Sequence, residues 1–216
     1  MKSFVAYPFE FDTLLFPQQS GKPSGKLVAH YELFKKVKHL NGAIIKCGIT
    51  AEEGFTRFAR FREMMGTQVT QKMIAFQKFQ PFFEQEINEE GEVTLKVKTR
   101  NATVSVDHIQ KTLIEKGQSH NVDFVPGGVC DSIPEYLIEN PELKIAMLNI
   151  DLDDYEATMT TLEFLYPRLV QDGILILDNY HKQMGEKKAV EAYFGNLVPK
   201  INAFSVNKGP HYIVKP

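Results

Sequence analysis

The feature of this sequence that most constrains its fold is a regular alternation of short apolar runs with longer amphipathic segments. Runs such as AIIKCGI and LKIAMLNI are typical of buried strands, whereas YEATMTTLEFLYPRLV and EKKAVEAYF have the spacing of amphipathic helices. Strands joined through helices pair in parallel, so this order predicts an α/β fold with a mostly parallel sheet and helices on both faces. The tail INAFSVNKGPHYIVKP has two strand-like runs without an intervening helix, which predicts an antiparallel hairpin at a sheet edge.

Two segments fall outside this alternation. Residues 1–26 mix aromatic with turn-forming residues, which predicts an N-terminal arm or lid before a single domain at 27–216. Residues 84–106 alternate around a turn at Glu90 and Gly91. This second pattern predicts an insertion, either a hairpin or a mobile cover.

Composition excludes several classes of partner and location. The net charge is −2, so the chain lacks the basic excess that drives binding to nucleic acid or to an anionic membrane. Two cysteines are too few for a disulfide scaffold, which favours a reducing compartment. No apolar run approaches the roughly 20 residues of a membrane span, and Glu10 and Asp12 interrupt the opening segment. These features together predict a cytoplasmic protein.

Polar residues follow two neighbouring strands, at the edge where open parallel sheets bind ligands. Asp151 and Asp153 come after LKIAMLNI, and Asp178 and Asn179 come after GILIL. Oxygen ligands from Asp151, Asp178 and Asn179 suit Mg²⁺, and Asp153 is then left to accept a proton. The alternative is helix capping, because Asp153 or Asp154 directly precedes YEATMTTLEF. The two roles are compatible.

Other candidate residues carry weaker signals. Gly48 and Gly54 flank a turn between a strand and a helix, where a cofactor can approach the backbone, although such turns often only connect two elements. His181 lies three residues beyond Asp178, within reach of a substrate. A lone histidine is more often structural or exposed, so His181 stays outside the main assignment.

The most specific part of the sequence is NIDLDDYEATMTTLEFLYPRLVQDGILILDNYHKQMGEKKAVEAYF. It resembles the macrocin O-methyltransferase-like (TylF) family of class I S-adenosylmethionine-dependent methyltransferases, and the resemblance extends over residues 27–215. It implies a Rossmann-like class I methyltransferase fold, a seven-stranded sheet whose last pair is antiparallel. It also implies methyl transfer from S-adenosylmethionine to a hydroxyl of a sugar or natural-product moiety, commonly with Mg²⁺. A small hydroxylated substrate follows, and a homo-oligomer is compatible with the family.

Site residues carry over from the family by position. The resemblance implies that Asp151, Asp178 and Asn179 are metal ligands and that Asp153 is the general base. On the donor side, it implies a group of cofactor-binding residues: Gly48, Ile49, Gly54, Gln77, Phe79 and Gly128.

The donor side also departs from the family pattern. Lys46 stands where the family usually has Glu, Gln77 where it has an Asp that binds the cofactor ribose, and Gly128 where it has an Asp near the adenine. Three functions therefore stay open. The chain is an O-methyltransferase, a non-catalytic relative with a degenerate cofactor site, or a binding module for another nucleotide or phosphorylated ligand with Lys46 as its anion contact.

Overall fold

The computed structural model of the chain describes residues 25–48, 52–77, 83–87, 93–97, 106–181, 184–197, 199–204 and 210–216. Its α-helices are α1 (Gly25–Val37), α2 (Glu52–Met64), α3 (Val106–Glu115), α4 (Val129–Glu139), α5 (Tyr155–Leu165) and α6 (Met184–Phe194). Short 3₁₀ turns, Tyr166–Arg168 and Gly195–Leu197, follow α5 and α6. Within these ranges, no helix has both the length and the apolar character needed to cross a membrane.

The strands are β1 (Ala43–Cys47), β2 (Met73–Gln77), β3 (Phe83–Ile87), β4 (Val93–Val97), β5 (Val122–Pro126), β6 (Ile145–Ile150), β7 (Leu169–Leu177), β8 (Asn202–Ala203) and β9 (His211–Val214). Seven of them form one sheet in the order β5-β2-β1-β6-β7-β9-β8. The five strands from β5 to β7 are parallel, whereas β9 runs antiparallel to both β7 and β8. The predicted sheet and its C-terminal antiparallel pair are confirmed.

The two segments outside the alternation are described only in part. Strands β3 and β4 pair with each other in an antiparallel hairpin that is separate from the main sheet. They account for two pieces of the predicted insertion at 84–106, and the residues between them lie outside the described ranges. Residues 1–24, nearly all of the predicted N-terminal arm, also lie outside them.

Helices cover both faces of the sheet, and each face has its own apolar layer. Successive residues of a strand point to opposite faces, so Ile44 of β1 packs into one layer and Ile45 into the other. The first layer includes residues of α1, α2 and α3: Phe34, Phe58 and Ile109. The second includes residues of α4, α5 and α6: Ile133, Leu162 and Val190. Because β1, β2, β6 and β7 run parallel, their carboxyl ends meet at one edge of the sheet, between these two layers.

A buried arginine in α2 stabilises the opposite end of the sheet. Arg62 has no solvent exposure. Its guanidinium donates to four backbone carbonyls, those of Gln71, Gln118, His120 and Asn121. These carbonyls belong to the segments that lead into β2 and β5, so one side chain connects two loops to α2.

Candidate active site

The four polar residues predicted at the strand ends lie together. Asp151 directly follows β6 and Asp178 directly follows β7, and both are buried. The Nδ2 atom of Asn179 donates to Oδ1 of Asp151 at 2.9 Å and to Oδ1 of Asp153 at 3.3 Å. Asn179 therefore connects a buried carboxylate to an exposed one.

Asp154 caps the helix, whereas Asp153 provides the exposed carboxylate of the cleft. Asp154 is the N-cap of α5, and its Oδ1 accepts from the backbone N–H of Ala157 at 2.8 Å. The capping alternative therefore applies to Asp154. Asp153 lies one residue earlier, is exposed and lines a cleft, so its carboxylate is open to a ligand.

Two lysine ammonium groups contact the buried carboxylates. Nζ of Lys46 lies 3.2 Å from Oδ2 of Asp151 and 4.0 Å from Oδ2 of Asp178, and it donates to Oδ1 of Asn149 at 2.8 Å. Nζ of Lys26 lies 2.9 Å from Oδ2 of Asp178 and 3.4 Å from Oδ2 of Asp151. Lys46 is buried and contacts carboxylates of the protein itself. This position does not support the alternative in which Lys46 binds the anionic group of a ligand.

A histidine of α1 completes the surroundings of Asp178. His30 is fully buried, and its Nε2 lies 2.9 Å from Oδ1 of Asp178. Arg57 can only donate, and its Nη1 lies 3.3 Å from Nδ1 of His30. Nδ1 therefore accepts, and Nε2 carries the proton that His30 donates to Asp178. Burial lowers the pKa of His30, which keeps the ring neutral at neutral pH although Asp178 opposes this shift.

The ionisation of the two buried aspartates follows from these contacts. Burial alone would raise the pKa of each carboxyl group. At Asp178 the hydrogen bond from His30 and the charges of Lys46 and Lys26 overcome burial and hold the pKa well below its usual range. At Asp151 burial and the neighbouring Asp178 oppose the lysines, and the pKa is still lowered. Both side chains are therefore carboxylates at neutral pH.

The residues present do not fit a magnesium ion in this arrangement. A Mg²⁺ ion lies roughly 2.1 Å from its oxygen ligands, and the oxygens in question already contact the ammonium groups of Lys26 and Lys46. Asn179 directs its Nδ2 donor at Asp151. Within the described part of the chain, no group of three His, Cys, Asp or Glu side chains is arranged to hold a metal. The expectation that Asp151, Asp178 and Asn179 bind Mg²⁺ is therefore not met by this geometry.

A cleft of about 570 Å³ joins the predicted donor side to the acidic residues. Its lining includes Gly48 after β1, Gln77 at the end of β2, Gly128 at the start of α4, and Asp151 and Asp153. Gly48 has φ +80°, and a Cβ atom there would come 2.2 Å from the carbonyl oxygen of Asp151. This position therefore requires glycine, and the close approach of the two strand ends forms one wall of the cleft.

The other predicted donor-side residues have different surroundings. Ile49 and Phe79 lie outside the described residues. Gly54 packs on a lysine rather than on the cleft, because a Cβ atom there would lie 2.9 Å from Cε of Lys46. This environment indicates that Gly54 makes room for the lysine.

A buried glutamate beside the acidic residues was missed by the sequence reasoning. Oε1 of Glu186, in α6, accepts from the backbone N–H of Asn179 at 3.1 Å. Burial, with smaller contributions from the nearby aspartates, raises the pKa of Glu186 to about 9. Gly185 lets this helix approach, since a Cβ there would come 2.4 Å from the carbonyl oxygen of Asp153. The available signal was the Gly-Glu pair that follows the second strand end.

His181 does not belong to this group of residues. Its side chain is exposed, and its ring lies 5.8 Å from that of His211, between ring centroids. The histidine that contacts Asp178 is His30, which lies 148 residues earlier in the chain. Such a separation leaves no local signal in the sequence.

The comparisons with known proteins agree with this architecture. A family model described as macrocin-O-methyltransferase (TylF) matches residues 35–201, which is most of the 216-residue chain. The chain belongs to the TylF family. Its resemblance in sequence to this family is thereby confirmed.

Two curated relatives match the chain locally. Demethyldecarbamoylnovobiocin O-methyltransferase of Streptomyces niveus is 38% identical over 72 residues, which are 33% of this chain and 26% of the relative. Mycinamicin III 3''-O-methyltransferase of Micromonospora griseorubida is 41% identical over 59 residues, 27% of this chain and 22% of the relative. The matched stretches thus span about a quarter of each relative's length.

Solved structures of methyltransferases have the same fold. The calicheamicin methyltransferase CalS11 superposes with a TM-score of 0.72 at 23% identity, covering 87% of this chain and 77% of that one. The O-methyltransferase NovP superposes with a TM-score of 0.70 at 20% identity, covering 88% and 79%. These likenesses show that this member of the TylF family has a Rossmann-like methyltransferase fold.

Proposed function

We propose that this protein is an S-adenosylmethionine-dependent O-methyltransferase that acts on a hydroxyl group of a small molecule. The observation that carries the proposal is the single cleft in which Gly48, Gln77 and Gly128 face the same space as Asp153. Donor-side and acceptor-side residues of a methyltransferase must share such a space, because the methyl group passes directly between the two substrates.

The donor side has the size and backbone that a nucleoside ligand needs. The whole cleft, donor and acceptor sides together, has a volume of about 570 Å³, which is within the range of small-molecule sites. Gly48 and Gly128 leave the backbone uncovered on two sides, and the Gln77 amide lies between them at the end of β2. When bound, S-adenosylmethionine supplies an electrophilic methyl group. Gln77 would contact the ribose hydroxyls, and the glycines would let the donor approach the strand ends.

On the acceptor side, Asp153 would remove the proton of the substrate hydroxyl. A general base must be accessible, ionised and held in place. Asp153 is exposed, and Asn179 donates to its Oδ1. The second carboxylate oxygen of Asp153 would take the proton as the hydroxyl oxygen gains the methyl group. Asp151 and Asp178 are held by lysines, so they would support this arrangement without titrating.

The substrate class is inferred from the relatives. The names of the two curated relatives describe O-methylation of demethyldecarbamoylnovobiocin and of the 3'' position of mycinamicin III. By analogy, we infer that the acceptor here is a sugar or a related natural-product moiety. We also infer a cytoplasmic location, which is consistent with Cys47 and Cys130 both being free thiols.

The experiment that tests this function is a methyl-transfer assay. The purified chain is incubated with S-adenosylmethionine and a panel of nucleotide sugars and glycosylated natural products, and mass spectrometry follows the products. The proposal predicts S-adenosylhomocysteine and a mono-methylated acceptor in equal amounts. A chain that binds the donor yet leaves every sugar of the panel unchanged would refute the acceptor class. A chain that does not bind the donor would instead be a non-catalytic member of the family.

A further inference from the structure

The acidic residues of the site have a charge balance of their own. Two carboxylates, Asp151 and Asp178, face two ammonium groups, Lys26 and Lys46, across distances of 2.9 to 4.0 Å. Both lysines point at the same two oxygens, Oδ2 of each aspartate. The group of four is therefore neutral without any bound ion, which is the state that buried carboxylates require.

The position of Lys46 is built into the fold. Its side chain is 2% exposed, and it lies beside Asn149, its register partner on the adjacent strand. Asn149 uses both ends of its amide, since Oδ1 accepts from Lys46 and Nδ2 donates to Oδ2 of Asp178 at 3.1 Å. Gly54 of α2 packs closely on the lysine stem, since a Cβ atom there would lie 2.9 Å from Cε of Lys46. Asn149 of β6 and the close approach of α2 thus hold this ammonium group against the aspartates.

A divalent cation cannot share these oxygens with the lysines. A buried ammonium group beside a Mg²⁺ ion would repel it at close range in a site of low dielectric constant. Lys26 is 38% exposed and could turn into the solvent. Lys46 has no such route, so a metal would leave an unpaired charge buried.

We propose that Lys46, together with Lys26, permanently replaces the divalent cation at the acidic site, so that this chain holds Asp151 and Asp178 in place without Mg²⁺. The inference gives the proposed O-methyltransferase a metal-independent acceptor side, and to that extent it rests on the proposed function. Binding of a cation is nevertheless measured on the protein alone, without donor or acceptor.

The test is a titration of Mn²⁺ into the full chain, followed by electron paramagnetic resonance of the free ion. The wild-type chain is expected to take up no Mn²⁺ saturably up to about 1 mM, the weak limit for protein sites of this kind. The double variant Lys26→Ala, Lys46→Met uncovers both carboxylates, and it is expected to bind Mn²⁺ at least about tenfold more tightly than that limit.

The control is Lys72→Met, which removes the ammonium partner of Asp123 at the opposite end of the sheet and leaves the hydrogen bond from Tyr136 to Asp123 in place. It frees only part of one half-exposed carboxylate and is expected to bind no Mn²⁺. Saturable uptake by the wild-type chain that Asp178→Asn abolishes would overturn the inference, and this result needs no lysine variant to fold. Donor titration is read separately, so a chain that binds neither Mn²⁺ nor donor would refute the proposed function alone.

Discussion

Nε2 of His30 lies 2.9 Å from Oδ1 of Asp178, and neither side chain is exposed to solvent. This contact joins α1 to the carboxyl end of β7, across most of the length of the chain. The His30 ring also stacks on Phe58 of α2, with 5.0 Å between ring centroids. One neutral histidine thus fixes an acidic residue of the site and packs in the aromatic layer beneath it.

We therefore expect His30→Phe to reduce stability while keeping the packing on Phe58. The variant removes a hydrogen bond to a buried carboxylate, which corresponds to about 1.5–3 kcal/mol. Urea denaturation measures the loss. The control is His39→Phe, because His39 is exposed on the segment just after α1 and should change stability little. Equal stability of both variants would contradict the role of His30.

Arg62 provides a prediction about the opposite edge of the sheet. Arg62→Met removes the donor of four buried or half-buried carbonyl groups. We expect a loss of about 3–5 kcal/mol in the free energy of unfolding, because the carbonyls lose their partners. Arg168→Met removes a single exposed bond to the carbonyl of Pro141, so it should cost less than about 1 kcal/mol. Similar losses in the two variants would contradict this account.

The order of strands and helices was predictable because it is a local property. Apolar runs such as AIIKC and IAMLNI predict buried strands whatever their order in the sheet, and both are confirmed as strands. The grouping of Asp151 with Asp178 was also predictable, since parallel strands end at one edge. Both steps depend only on periodicity and on the handedness of the connections.

The partners of these aspartates were not predictable in the same way. His30 and Lys26 reach the site from α1, and their contacts depend on how that helix packs rather than on neighbouring residues. In the sequence, Lys46 was visible as a charge within an apolar strand, at a position where the family usually has Glu. Its explanation needed the register that pairs it with Asn149. The pairing explains why β1 and β6 each have a polar residue at the last position but one: Lys46 and Asn149 contact each other.

Glu186 predicts a specific dependence of stability on pH. The pKa of this carboxyl is about 9 in the folded chain against 4.5 for the ordinary group. Because the pKa is raised, the stabilising contribution of Glu186 is complete below its pKa in the unfolded chain. It is lost as the pH rises toward its pKa in the folded chain. The free energy of unfolding of the wild-type chain should therefore fall by about 1.4 kcal/mol per pH unit in this window. We expect Glu186→Gln to abolish this fall. Urea denaturation at several pH values between about 6 and 8 measures it.

The control for this prediction is Glu191→Gln, on the exposed face of the same helix. Glu191 pairs with Lys187 at 3.7 Å, and both side chains are half exposed. Its replacement should leave the slope of stability against pH unchanged. If Glu186→Gln has the same slope as the wild-type chain, the buried carboxyl is ionised and the assigned protonation state is wrong.

Variants of Asp153 and Asp154 distinguish the proposed catalytic role from helix capping. Asp153→Asn removes the proposed base, and we expect methyl transfer to fall by about 10²–10⁴-fold with donor affinity unchanged. Asp154→Asn keeps a good N-cap residue, so α5 and the activity should both be retained. Turnover rates with saturating donor make the comparison. Full activity in Asp153→Asn would remove this residue from the mechanism.

The central claim is that the cleft between Gly48, Gln77 and Gly128 binds the methyl donor. Calorimetric titration of S-adenosylhomocysteine into the full chain measures this directly. We predict saturable binding at one site, made tighter by Gln77→Asp, because a carboxylate accepts hydrogen bonds from ribose hydroxyls more strongly than an amide. Absence of binding at millimolar ligand, in the wild-type chain and in Gln77→Asp alike, would contradict the claim. The chain would then be a member of the family that does not bind the methyl donor.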